Sequence, residues 1–146
     1  MSKDITHLKE IVEIARDGET FYRDAESSVG DATLKPIFAR MAAAKRELVG
    51  ALSQKLAANG ESTPQSGTFA GSVRKAYTDV AAKLSSKDSQ IFVAQLEETE
   101  DRLLDQVRKA AEDTTDASIR LTLQAYLPKV KACHDEMRNL KRRMAA

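Results

Sequence analysis

The sequence predicts an all-α protein, a single domain over residues 1–146 folded as an antiparallel four-helix bundle. Three observations carry that expectation. Apolar residues recur with a period of about 3.6 along most of the chain. Glycine, proline and short polar runs cut this pattern into four long segments and one short one. The composition is 42% hydrophobic, 31% charged and 5% aromatic, with no Trp, 6 Gly and 3 Pro, which suits long amphipathic helices. A β-sandwich would want more turn residues and more β-branched runs. With 146 residues, roughly two thirds of the unfolded surface can be buried in one core.

The first segment runs from about Asp4 to Val29, with Leu8, Ile11, Val12, Ala15, Tyr22 and Ala25 on one side, and stops at Gly30. The second begins near Thr33, whose hydroxyl can cap, tolerates Pro36 in its first turn and ends at Asn59-Gly60. Its stripe includes Phe38, Met41, Leu48, Leu52 and Leu56. Residues 61–67 have the composition of a loop. Phe69 to Leu84 then reads as a short accessory helix on the long connection, closed by Ser85-Ser86. The third long helix is expected from about Lys87 to Glu112, with Phe92, Val93, Leu96, Leu103, Leu104 and Val107 apolar. After a turn at residues 113–116, the fourth runs almost to the C-terminus through Ile119, Leu123, Leu127, Val130, Met137, Leu140 and Met144. Pro128 inside it deletes a backbone donor and is predicted to kink or interrupt the helix. The short turns near Gly30 and Asp113 make two αα-hairpins. Whether the long connection crosses the bundle from end to end or folds beside it stays open at this stage.

Charge and motifs exclude several classes of function. Lys and Arg number 23 against 22 Asp and Glu, a net charge of +1 that makes no bulk case for nucleic acid or an anionic membrane. The basic run Lys141-Arg142-Arg143 suits the negative end of a helix dipole. The lone Cys133 excludes an intramolecular disulfide framework and a Cys-rich zinc site. No apolar leader follows Met1, and no apolar run approaches the roughly 18 residues of a membrane span, so a cytoplasmic chain is expected. No phosphate loop, dinucleotide fingerprint, Ser-His-Asp order or His-Glu-x-x-His appears, and no small-molecule substrate can be identified. A homodimer through an outer helix face is compatible with the sequence, which does not name the face. Cys133 and His134 are helix neighbours pointing about 100° apart, so the thiol reads as a small buried hydrophobe and not as a partner of the imidazole. His7, near a helix end, reads as solvated.

Polar residues interrupt the apolar stripe of every long helix near its midpoint. Glu19 follows Ala15 by four, Lys45 stands between Met41 and Leu48, Glu97 and Glu100 follow Leu96, and His134 lies between Val130 and Met137. In an antiparallel bundle the midpoints share one height, which brings Glu19, Lys45, Glu100 and His134 within reach of one another. Charges in a dry core are costly unless paired, and this set can pair off nearly completely. The layer is therefore either a buried salt-bridge cluster that fixes helix register or a metal site.

Asp17-Gly18, Phe21-Tyr22, Ala25-Glu26, Phe38, Met41-Ala42, Gly60, Gly67 to Gly71, Glu100-Asp101, His134-Asp135, Arg138 and Leu140 follow one another in the order of an uncharacterised bacterial family, domain-of-unknown-function family 2383. The chain resembles it from about Ile5 to Leu140. The resemblance implies a ferritin-like (rubrerythrin-type) bundle without an assigned reaction. Metal sites in that plan take a Glu from each of two helices and a Glu-x-x-His or similar pair from each of the others. Here the second helix offers Lys45 and Leu48, or Ala44 and Glu47, and Lys131 stands three before His134. Glu19, Glu100 and His134 remain as candidate metal ligands, with Glu97 as a fourth. The other reading is a metal-free polar layer completed by Lys45, Glu97 and Lys131, in which a lysine ammonium takes the place of a metal cation. The expectation is thus a non-catalytic ferritin-like protein with a degenerate metal site and no cofactor. Its alternative is a mononuclear or iron-handling protein that binds iron or another divalent metal.

Overall fold

The apolar stripes become four long helices in the computed structural model, which describes residues 2–64 and 89–145. They are α1 (Ser2–Ser28), α2 (Lys35–Ala58), α3 (Ser89–Asp113) and α4 (Ala117–Ala145). No strand occurs among the described residues. The expected accessory helix from Phe69 to Leu84, with Gly67 to Gly71 before it, lies outside them.

The helix ends depart from the sequence reading in three places. Gly30 is not a left-handed cap, since Gly60 has the one positive glycine φ among the described residues, at 73°. Thr33 does not cap α2. Its amide and its hydroxyl both donate to Asp31 Oδ1, at 2.8 and 2.6 Å, so Leu34 stands at the N-cap without a side-chain hydrogen bond. Pro36 sits in the first turn, where its missing N–H costs no helical bond. At the other end of α2, Gly60 N donates to Ala57 O and Glu61 N to Leu56 O, both within 3.0 Å. These two bonds form a Schellman closure that needs the left-handed glycine. The third departure is at Pro128: of the two expected outcomes, a kink or an interruption, α4 shows no interruption there. Pro128 and Gln124, whose carbonyl loses its helical donor, are both exposed, so water can satisfy that oxygen. The start of α4 is capped by Asp116, whose Oδ1 accepts from Ile119 N at 3.0 Å.

Each helix turns its stripe inward against two neighbours. α1 packs on α2 and α3, α4 packs on α3 and α2, and among the described residues the backbones of the diagonal pairs, α1 with α4 and α2 with α3, do not come close. Polar contacts mark the pairing along its length. Between α1 and α3, His7 lies 3.6 Å from Asp113, and Gln106 donates to Glu10 at 2.7 Å. Between α2 and α4, Arg40 meets Glu136, Glu47 meets Lys129, and Lys55 meets Ser118. Between α3 and α4, Gln90 donates to the Met144 carbonyl and Lys141 lies 3.6 Å from Glu97. Lys9, on α1, holds Glu61 just beyond α2 at 2.7 Å.

The core falls into two apolar clusters. One gathers Leu8, Ile11, Leu52, Leu56, Leu103, Val107 and Ile119. The other gathers Phe21, Tyr22, Phe38, Met41, Leu96 and Met137. Lys45 and Glu100, at 2% and 0% exposure, lie between them in sequence on their helices. No described helix is long and apolar enough to cross a membrane.

Candidate functional site

Glu100 is the centre of the buried polar layer. Its Oε1 accepts from Lys45 Nζ at 2.7 Å, and its Oε2 accepts from Tyr22 OH at 2.9 Å. The ammonium also stands 5.6 Å from the centre of the Tyr22 ring, within cation–π range. Three helices therefore contribute one side chain each, and both oxygens of the carboxylate are engaged. The Lys45 stem passes Gly18 of α1, where a Cβ would lie at an ordinary contact distance of 3.7 Å from Cγ, Cδ and Cε. The stem thus runs beside α1 with its charged head passed on to Glu100.

This arrangement differs from the single layer expected from helix midpoints. Gly18 is buried, while Glu19 is half-buried and is not a partner of Glu100. The inward seat after Ala15 is filled by the glycine, and Tyr22, one turn on, supplies the polar atom that the sequence reading gave to Glu19. His134 is buried at 7% exposure but belongs to a second group on the α3–α4 flank. Its Nε2 pairs with Asp101 Oδ1, and its Nδ1 lies 3.0 Å from Asp135 Oδ1. Glu97 is buried beside them, and one donor atom each from Glu97, Asp101 and His134 lie within 4.8 Å of one another. Lys131 is exposed and bonds Asp135 Oδ2 at 2.7 Å, so it takes no part in the core layer. Hydrogen bonds from Lys131 and His134 hold the Asp135 carboxyl below the usual carboxylate range.

Sequence reasoning missed Tyr22, Asp101 and Asp135. Tyr22 was hidden among apolar seats, although a tyrosine on an inward stripe needs a partner for its hydroxyl. Asp101 lies four residues after Glu97 and therefore shares its face, a signal that was available in the spacing. His7 was read as solvated, yet its side chain is only 15% exposed and faces Asp113 across the α1–α3 contact. Cys133 is half-buried and free; burial pushes its thiol above the ordinary range, and this outweighs the opposing pull of Lys45.

Beside the second group lies a cleft of about 490 Å³, with Asp101, His134, Arg102, Arg108 and Arg138 in its walls. Chemically the two groups differ. In the core triad each oxygen of Glu100 already accepts a hydrogen bond from a buried side chain, whereas the flank group presents carboxylate and imidazole donors at the edge of solvent.

None of the curated proteins and none of the solved structures compared with the chain matches it. The family described as Domain of unknown function (DUF2383) matches residues 3–113, a stretch that contains Tyr22, Lys45 and Glu100 and stops short of His134 and of the expected limit at Leu140. With well over half of its 146 residues matched, the chain belongs to the DUF2383 family.

Proposed function

We propose that this chain is a non-catalytic, ferritin-like helical-bundle protein in which the Lys45 ammonium occupies the place a metal cation holds in metal-binding bundles of that plan. The carrying observation is the 2.7 Å contact of Lys45 with Glu100 in a core position where both are buried. An ammonium bonded to the one central carboxylate supplies its counter-charge, and the Tyr22 hydroxyl occupies the other oxygen. The role that follows is structural. A buried, fully paired charge set fixes which turns of the helices face one another, at some cost relative to an apolar core.

The ferritin-like part of this reading rests on helix direction. His7 and Glu10 on α1 meet Asp113 and Gln106 on α3, and Arg40, Glu47 and Lys55 on α2 meet Glu136, Lys129 and Ser118 on α4. Residue numbers thus rise on one helix as they fall on its partner, which supports antiparallel contacts throughout. By the same reasoning α2 and α3 run parallel, and their connection passes from one end of the bundle to the other, the crossover that distinguishes ferritin-like bundles. Spin labels at Glu61→Cys and Gln90→Cys in a Cys133→Ser background should stand about 35 Å apart, nearly the length of a 25-residue helix. A separation under about 20 Å would place both at one end and remove the crossover.

The function itself is tested by urea unfolding of the wild type and of Glu100→Gln, each with and without EDTA. Loss of the carboxylate strands a buried lysine, so the variant should be less stable by about 3–5 kcal/mol. That difference should be the same with chelator present. A difference that EDTA abolishes would mean that Glu100 holds a metal ion.

A further inference from the structure

We infer that Glu97, Asp101 and His134 form a binding site for one divalent transition-metal ion, zinc by preference, on the flank where α3 meets α4. The site goes beyond the core ion pair and shares no residue with it. Glu97 and Asp101 lie one helical turn apart on α3, and His134 faces them from α4. Their donor atoms are within 4.8 Å of one another, close enough for a single ion at about 2.0–2.2 Å from each. One imidazole with two carboxylates is a borderline donor set that suits zinc and is unsuited to soft cuprous copper or to calcium.

Independent support comes from the imidazole. Both ring nitrogens of His134 face carboxylate oxygens, Nδ1 toward Asp135 and Nε2 toward Asp101. A neutral imidazole has one N–H and one lone pair, so it can satisfy only one of the two as a donor. Asp135 is anchored by Lys131 at 2.7 Å and is the natural acceptor for Nδ1–H. Nε2 then faces Asp101, and a cation held by both would replace that contact with two ligand bonds. A carboxylate holding the second ring nitrogen is also the usual support behind a zinc-bound histidine. The ion's two positive charges match the two carboxylates once it displaces the exposed Lys141 ammonium that stands 3.6 Å from Glu97. Asp101 and His134 line the cleft of about 490 Å³, so the coordination position that three protein donors leave free opens to water there.

The test is calorimetric titration of untagged, chelator-stripped protein with zinc chloride, repeated with cobalt(II) followed by visible absorption. One equivalent of zinc should bind. Asp101→Asn, at a side chain 53% exposed, and His134→Gln should each weaken binding by about 100-fold or more while helical circular dichroism is retained. Asp135→Asn should weaken it by about 10-fold. Cys133→Ser and His7→Gln should leave it unchanged, and the cobalt spectrum should lack a thiolate charge-transfer band. Absence of stoichiometric binding would reduce the group to contacts of His134 with its two aspartates and would overturn the inference. Binding that survives Asp101→Asn, or that is lost with Cys133 or His7, would place the metal elsewhere; either result overturns the inference. Neither outcome bears on the Glu100 measurement, which turns on a different carboxylate.

Discussion

Glu13 shows how one side chain can record its surroundings. It is half-buried on α1, and burial first, then the charges of Glu10 and Asp17, raise its carboxyl above the ordinary value. A raised acid holds its proton better in the folded chain than in the unfolded one. It therefore costs stability once it ionises, and the cost is relieved as pH falls through the carboxylate range. Glu13→Gln should stabilise the protein at pH 7 by about 0.2–0.5 kcal/mol, the size of a like-charge pair on a helix, and the gain should vanish near pH 4. Urea unfolding at the two pH values checks this; a gain independent of pH would mean that the charge of Glu13 is not the cause. At this scale the sequence was partly legible. The interruptions of the apolar stripe at Lys45, Glu100 and His134 are all buried residues. Glu19 was misplaced because Gly18 and Glu19 fit the same seat, and a glycine has no side chain to announce that it fills one. Tyr22 was read for its ring and not for its hydroxyl.

The four long helices were the most legible part, since long periodic stripes set their approximate spans among the described residues. Their ends were less so. A hydroxyl at Thr33 looks like a cap, but Asp31 two residues earlier is the stronger local acceptor and takes it. Gly30 and Gly60 are alike in sequence terms, and only Gly60 adopts the left-handed conformation, where the last carbonyls of α2 need donors. Pro128 is tolerated because the face it disrupts is the wet one. These outcomes depend on which side of a helix meets the core, and an isolated residue type does not carry that information. The two arginines of the basic run that close α4, Arg142 and Arg143, sit in its last turn, where the helix dipole favours them.

Across the whole molecule, the polar groups divide the work differently from the single layer that helix midpoints suggest. One group joins α1, α2 and α3 through Glu100 and is closed on itself. The other joins α3 and α4 through His134 at the rim of a cleft. The division arises because Glu100 and Asp101 are neighbours on α3 and point to different faces, one into the core and one toward the flank. Two hairpins with apolar stripes alone could slide along one another at small cost. A slip of one residue would separate Lys45 from Glu100 and leave two buried charges unpaired. Helix register therefore turns on that pair, and a double-mutant cycle measures its contribution. Urea unfolding of Lys45→Met, Glu100→Leu and the double variant, all in a Tyr22→Phe background that removes the hydroxyl bonded to Glu100, should find each single change costing about 3–5 kcal/mol and the double change within about 1 kcal/mol of that background, or more stable. Costs that simply add in the double variant would contradict the account.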